Sequence, residues 1–196
     1  QHIYPAGAIG LDSDSKLLDI SRNTVTALGR WSNDNGENSL YPAAVRVGCD
    51  PNLILEKLTM LWTTSRKRPN ELPEDPEQSS TAPNTINEML CMSHRQVLRV
   101  FPVWPRNKDA RFWTLRAEGA FLVSSALKGQ AVQYVKILSE KGRDCTVVNP
   151  WPGKQVDVYC DGKKVETLKG DRFVMKTKAG QTVVLVPQGA GSPTAE

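Results

Sequence analysis

The chain has 196 residues, 39 % of them apolar, enough for one sizeable domain or two small ones and too apolar for a disordered chain. No apolar run approaches the roughly eighteen residues of a membrane-spanning helix. The net charge of +4 is uneven: 9 Lys/Arg stand against 12 Asp/Glu as far as Val97, and 16 against 9 from Leu98 onward. The basic half reads as a lysine-rich solvated sheet face, because nucleic-acid binding would interleave its basic residues with exposed aromatics.

In chain order, QHIYPAGAIG reads as a loop, and it opens as a fragment of a longer protein would. Asp12 to Asp14 can cap a first helix that begins at Ser15, carries Leu17, Leu18, Ser21, Val25 and Leu28 as its apolar stripe, and stops at Gly29. Trp31 to Asn38 is a polar loop with the turn chemistry of NDNGEN. A short Ala-rich helix is expected over Ser39 to Val47, closed by Gly48. Asp50 caps a third helix with Pro51 at its first position and Leu53, Ile54, Leu58 and Leu61 on its buried face. RKRPNELPEDP, from Arg66 to Pro76, holds three prolines and reads as a charged surface loop.

The stretch from Glu77 to Pro105 changes period in the middle. Ile86, Met89, Leu90 and Val97 recur at helical spacing, with Pro83 suited to a first helical position and Ser79, Ser80 and Thr81 as cap-type residues before it. This predicts a fourth helix over Pro83 to His94. Leu98, Val100 and Pro102 then alternate with Arg99, Phe101 and Val103 as a strand does. Eight further runs read as strands: Arg111–Ala117, Ala120–Leu127, Val132–Ser139, Cys145–Asn149, Val156–Cys160, Lys164–Leu168, Arg172–Thr177 and Thr182–Val186. Asp161-Gly162 is a two-residue hairpin signal. Regular short strands of this kind predict an antiparallel sandwich, followed by a disordered tail over Gly189 to Glu196.

Few residues carry chemistry on their own. The two histidines are His2 and His94, and no nucleophile elbow, phosphate loop or dinucleotide fingerprint is present. Cys49, Cys91, Cys145 and Cys160 lack metal-ligand spacing, so no metal site and no cofactor is expected. Cys145 and Cys160 fall in neighbouring predicted strands and could pair, but four buried free thiols are the plainer reading. Glu71, Glu74, Asp75 and Glu77 precede a helix start, where a solvated acidic face complements the helix dipole.

NTINEMLCMSH followed by VLRVFPVWP resembles a segment of glycoside hydrolase family 95, the α-L-fucosidase family. There a pattern D-G-N-F-G-x-T-A-x-I-A-E-M-L-L-Q-S-H leads into a strand ending L-L-P-A-L-P; Ile86, Glu88, Met89, Leu90, Ser93 and His94 match it here. The resemblance implies an α+β chain: residues 1–97 as the last helices of an (α/α)6 barrel, 98–188 as a C-terminal antiparallel β-sandwich and 189–196 as a tail. It implies an inverting glycosidase acting on an α-L-fucoside or L-galactoside, a glycan as partner, and a secreted or periplasmic location.

The family's water-activating aspartate lies eleven residues before the glutamate of E-M-L, which is the position of Glu77. A glutamate there, and Ser79 where the family has asparagine, depart from the pattern. QHIYPAGAIG resembles the family's S-H-L-Y-x-L-Y-P-G segment, which implies a sugar-binding role for His2. The family's general acid lies upstream of this chain. For His94 a structural role at the helix end is expected. Rival readings are a non-catalytic carbohydrate-binding or structural β-domain, and a glycoside phosphorylase, for which no basic phosphate motif is evident.

Overall fold

The structure, a computed structural model, describes residues 1–31, 37–64 and 76–191, and leaves aside the side chains of 37, 38, 62, 64 and 76–79. The chain divides into two compact units: Gln1–Met89 with Val103–Pro105, and Leu90–Pro102 with Arg106–Glu196.

The first unit is helical. Helix α1 spans Ser15–Leu28; Asp14 caps it by accepting from the Leu17 N–H, and Gly29 ends it at φ 54°, a conformation costly for a residue with a Cβ. Leu18, Ser21 and Val25 are buried, but Leu28, expected in the stripe, is half exposed. Helix α2, Glu37–Arg46, starts two residues before the expected Ser39, and its residues from Leu40 to Arg46 are all buried. Helix α3, Pro51–Thr64, buries Ile54, Leu58 and Leu61, and the Asp50 carboxylate accepts from the Asn52 N–H at its start.

Helix α4 corrects the sequence reading. It spans Pro76–Leu90, so Pro83 lies inside it and Pro76 takes the first position. The fixed φ of proline suits a helix, but Pro83 forgoes one helical hydrogen bond and its ring crowds the preceding turn. The favourable packing of Thr81, Thr85 and Met89, all buried on one face, outweighs that loss. Thr85 makes burial tolerable by donating its hydroxyl to the Thr81 carbonyl at 2.6 Å. Four helices, among the described residues, make up this unit; α2 packs against both α1 and α3, and no closed barrel is formed among the described residues.

The second unit begins where α4 ends. Strand β1, Cys91–Met92, pairs antiparallel with β2, Val97–Val100, around a tight turn at His94–Gln96. The helix expected to reach His94 therefore stops at Leu90, whose carbonyl accepts the Phe101 N–H at 2.7 Å. Strand β2 is buried at all four residues and does not alternate; Phe101, buried and at φ 51°, turns the chain out of it.

The eight expected strands are all present: β3 Ala110–Ala117, β4 Phe121–Lys128, β5 Ala131–Ser139, β6 Cys145–Val148, β7 Val156–Cys160, β8 Lys163–Leu168, β9 Arg172–Met175 and β10 Thr182–Pro187. They form two sheets in a sandwich-like arrangement, one ordered β1-β2-β6-β9 and one ordered β3-β4-β5-β10-β7-β8. One pairing departs from the antiparallel expectation. Strands β2 and β6 run parallel, which the long excursion through β3, β4 and β5 between them allows. Asp161 at φ 48° and Gly162 at φ 81° make the tight β7–β8 hairpin.

The core of this unit is Val123, Leu127, Val135, Ile137, Val158 and Leu185 from the larger sheet, with Cys145, Val147, Phe173 and Met175 from the smaller. Trp151, in the loop after β6, donates its indole N–H to the Val132 carbonyl at 2.7 Å, and Ser139 meets Thr177 at 2.6 Å. None of the four cysteines is in a disulfide. Cys145 and Cys160 sit in different sheets, so the pairing considered from sequence does not form. Only Cys145 is fully buried, and burial pushes its thiol up to about 12. After β10, the Gly189 N–H donates to the Asp157 carboxylate; residues 192–196 lie outside the described residues.

Candidate functional site

Among the described residues of the helical unit, a polar cluster is built on a face of α4. Positions 77, 81, 84 and 88 follow one another by four, three and four residues and so share one side of the helix. From 77 to 88 is about 16 Å along the axis.

The far end of this row is fixed by Arg46. It stands in the last turn of α2, where a cation suits the helix dipole. Its side chain and that of Glu88 are only 10 % and 14 % exposed, and Arg46 Nη2 lies 2.7 Å from Glu88 Oε1. Its Nε donates to the same oxygen at 3.3 Å, and Nη1 donates to the carbonyls of Ile3 and Pro5 at 3.4 and 3.2 Å. The guanidinium face lies 4.7 Å from the centre of the Tyr4 ring. The Tyr4 hydroxyl in turn accepts from Asn84 Nδ2 at 2.7 Å.

One arginine thus uses its whole planar fork to bind the N-terminal loop to α4. Glu88 Oε2 is buried and has no hydrogen-bond partner among the described residues. A buried carboxylate oxygen without a donor is costly, which marks this end of the row as one where a further donor would be favourable.

The residues singled out from sequence fall as follows. His2 belongs to the anchored loop and is exposed; its carbonyl accepts the N–H groups of Ala8 and Ile9 at 2.8 and 3.2 Å, which closes the loop on itself. Glu77 is the second residue of α4, and its side chain lies outside the described residues. Glu71, Glu74 and Asp75 lie outside them altogether. His94 is not at a helix end: it is buried in the turn between β1 and β2 of the sheet unit. That turn is bound to the loop after β3 by Glu118, whose N–H donates to Ser93 Oγ and whose carboxylate accepts the Gln96 N–H, both at 2.9 Å.

The structure therefore gathers Tyr4, Arg46, Asn84 and Glu88, a set that the sequence reading did not assemble. A signal was present: Arg46 interrupts the apolar run AAVRV, and Glu88 interrupts INEML. Two lone opposite charges on buried helix faces are candidates for a pair. Among the described residues, no group of three or more His, Cys, Asp or Glu could hold a metal ion.

No family model matches the chain, and no curated relative matches it. Among solved structures, a crystal structure of a GH127 β-L-arabinofuranosidase from Geobacillus stearothermophilus is similar at a TM-score of 0.32 and 11 % identity, over 78 % of this chain and 32 % of that one. The chain thus spans about a third of the length of that structure.

Proposed function

We propose that this chain is part of a glycosidase similar to family 95, which hydrolyses a terminal α-L-fucoside or L-galactoside of a glycan with inversion, outside the cytoplasm. In this reading α4 is the helix that carries the chemistry. The observation that supports it most is the single row on α4. Its first turn bears Glu77, and two turns on, about 10 Å further, Asn84 and then Glu88 hold the loop that bears His2. A sugar-binding loop and a water-activating carboxylate would thus be referenced to one rigid element.

Inverting hydrolysis needs an acid for the leaving oxygen and a base that polarises water on the opposite face of the ring. Glu77 takes the second role, with partners from other parts of the intact protein, and the general acid comes from outside this chain. His2, at the surface of its loop, contacts the sugar. Ile20 and Leu28 on α1 and Met60 on α3 are about half exposed and apolar, and in the proposed barrel neighbouring helices cover them.

The test is hydrolysis of an aryl α-L-fucoside by the intact protein, followed by NMR of the first-formed sugar. The expected product is the inverted anomer, and these 196 residues alone should give no turnover. Turnover by the isolated chain, or a retained anomer from the intact protein, would overturn the assignment of roles.

A further inference from the structure

The two sheets end in four edge strands, and three of these are blunted. Strand β1 is two residues long. Bulges interrupt β3, between Phe112 and Leu115, and β8, opposite Val158 and Tyr159. Strand β9 is different. Its four residues run in unbroken antiparallel register with β6, and among the described residues no other strand pairs with it.

Antiparallel neighbours alternate between pairs that exchange both backbone hydrogen bonds and pairs that exchange none. The Asn149 N–H donates to the Asp171 carbonyl at 2.9 Å, one register step beyond Val148 and Arg172. Asp171, Phe173 and Met175 therefore turn their backbone groups to β6, and Arg172 and Val174 turn theirs to the open edge. The side chains alternate with the same period. Phe173 and Met175 are buried, as are Cys145 and Val147 beside them, while Arg172, Val174 and Lys176 are exposed on the other face. Val174, at 66 %, is the most exposed large apolar side chain among the described residues. Lys178, also exposed, continues the row.

These features select the occupant. A row of N–H and C=O groups at strand spacing is matched by another extended backbone; a polyanion without one meets the cations but leaves the row unpaired. A second copy of β9 does not fit. Pairing Val174 with its own counterpart would set Arg172 against Lys176 on both sides, and a shift of two residues either way would set Val174 against a cation. Like charges directly opposite one another are destabilising. Nearby acids do not reverse the sign. Asp171 belongs to the other series, and no ion pair among the described residues joins Lys176 to Asp144, which the register sets opposite it.

We propose that the open edge of β9 binds an extended acidic segment of a partner protein as an added antiparallel strand. An apolar residue of that segment faces Val174, and acidic residues two places to either side face Arg172 and Lys176. The backbone ladder supplies affinity, and the flanking charges choose the partner. This inference is independent of the glycosidase reading, because binding alone tests it.

The experiment is fluorescence anisotropy with the whole chain titrated into end-capped, labelled peptides. One is centred on Asp-Thr-Val-Thr-Asp, one on Lys-Thr-Val-Thr-Lys, and one is the acidic peptide with its valine N-methylated. Saturable binding of the acidic peptide is expected. The basic peptide should bind about tenfold more weakly, from like charges at two positions, and the N-methylated one about fivefold more weakly, the scale of one backbone hydrogen bond. Lys176→Glu, at an exposed site, should weaken the acidic peptide and strengthen the basic one at an unchanged melting temperature. Should that variant fail to fold, the peptide series on the wild type decides alone. Absence of binding, equal binding of the acidic and basic peptides, or no effect of N-methylation would overturn the proposal. So would tighter binding of oligothymidylate than of the acidic peptide, or a dimer in sedimentation that the acidic peptide dissociates.

Discussion

The helical unit and the sheet unit handle charge differently. In the helical unit one buried pair, Arg46–Glu88, holds three stretches of chain: the N-terminal loop, α2 and α4. In the sheet unit the ladders already satisfy the backbone, and charges such as Arg116 on β3 and Glu140 just after β5 pair at the surface. Asp157 is the intermediate case. It is buried in β7 and accepts from Lys164, Thr167 and Gly189 at 2.8, 2.7 and 3.1 Å. A charge is therefore expected to matter most where no ladder stands behind it, and least where one does.

Three substitutions break or sharpen this contrast. The largest effect belongs to Arg46→Met, which leaves Glu88 buried without its cation. A loss of about 3–5 kcal/mol is expected, read by denaturant unfolding, with faster amide exchange at Gly7 and Ala8 as the loop is released. An unchanged midpoint would show that the pair holds nothing.

Asp157→Asn comes next. The hydrogen bond with Lys164, then those with Thr167 and the Gly189 N–H, lower the Asp157 carboxyl to about 2 from an ordinary 3.8. A depressed carboxyl contributes stability that is present above its unfolded value and is lost as pH falls through its folded value. Wild type should therefore lose melting temperature between about pH 4 and pH 2. Asp157→Asn should be less stable at pH 7 and should converge with wild type near pH 2. Parallel pH curves for the two proteins would contradict this.

Arg116→Gln should have the smallest effect. The hydrogen bond with Arg116 lowers the Glu140 carboxyl, but the pair lies at the surface and is screened by water and salt. No change in melting temperature is expected at physiological salt, and a drop of several degrees would mean that this pair behaves like the buried one.

Much of the fold was legible because local signals agreed with one another. Asp14 and Gly29 bound α1 by cap chemistry, and the turn residues placed all eight strands after Ala110. The errors arose where a distant contact prevailed over a local one. Pro83 looked like a helix start but is carried inside α4 by the buried face of Thr81, Thr85 and Met89. His94 looked like a helix end, but β1 and β2 pair around it. Arg46 and Glu88 were each visible as a charge in an apolar run, but their meeting across 42 residues was not.

We propose different tasks for the two ends of the α4 row, chemistry at Glu77 and anchorage at Glu88. The direct measurement is kinetics and thermal melting of Glu77→Gln and Glu88→Gln in the intact protein. Glu77→Gln keeps the shape and, in the proposed role, removes the charge that would polarise water, so kcat should fall by about 100-fold or more at an unchanged melting temperature, and Glu77→Asp should recover part of the activity. Glu88→Gln weakens the anchor, so stability should fall by about 1–3 kcal/mol, with KM affected more than kcat. Wild-type kcat in Glu77→Gln would contradict the account.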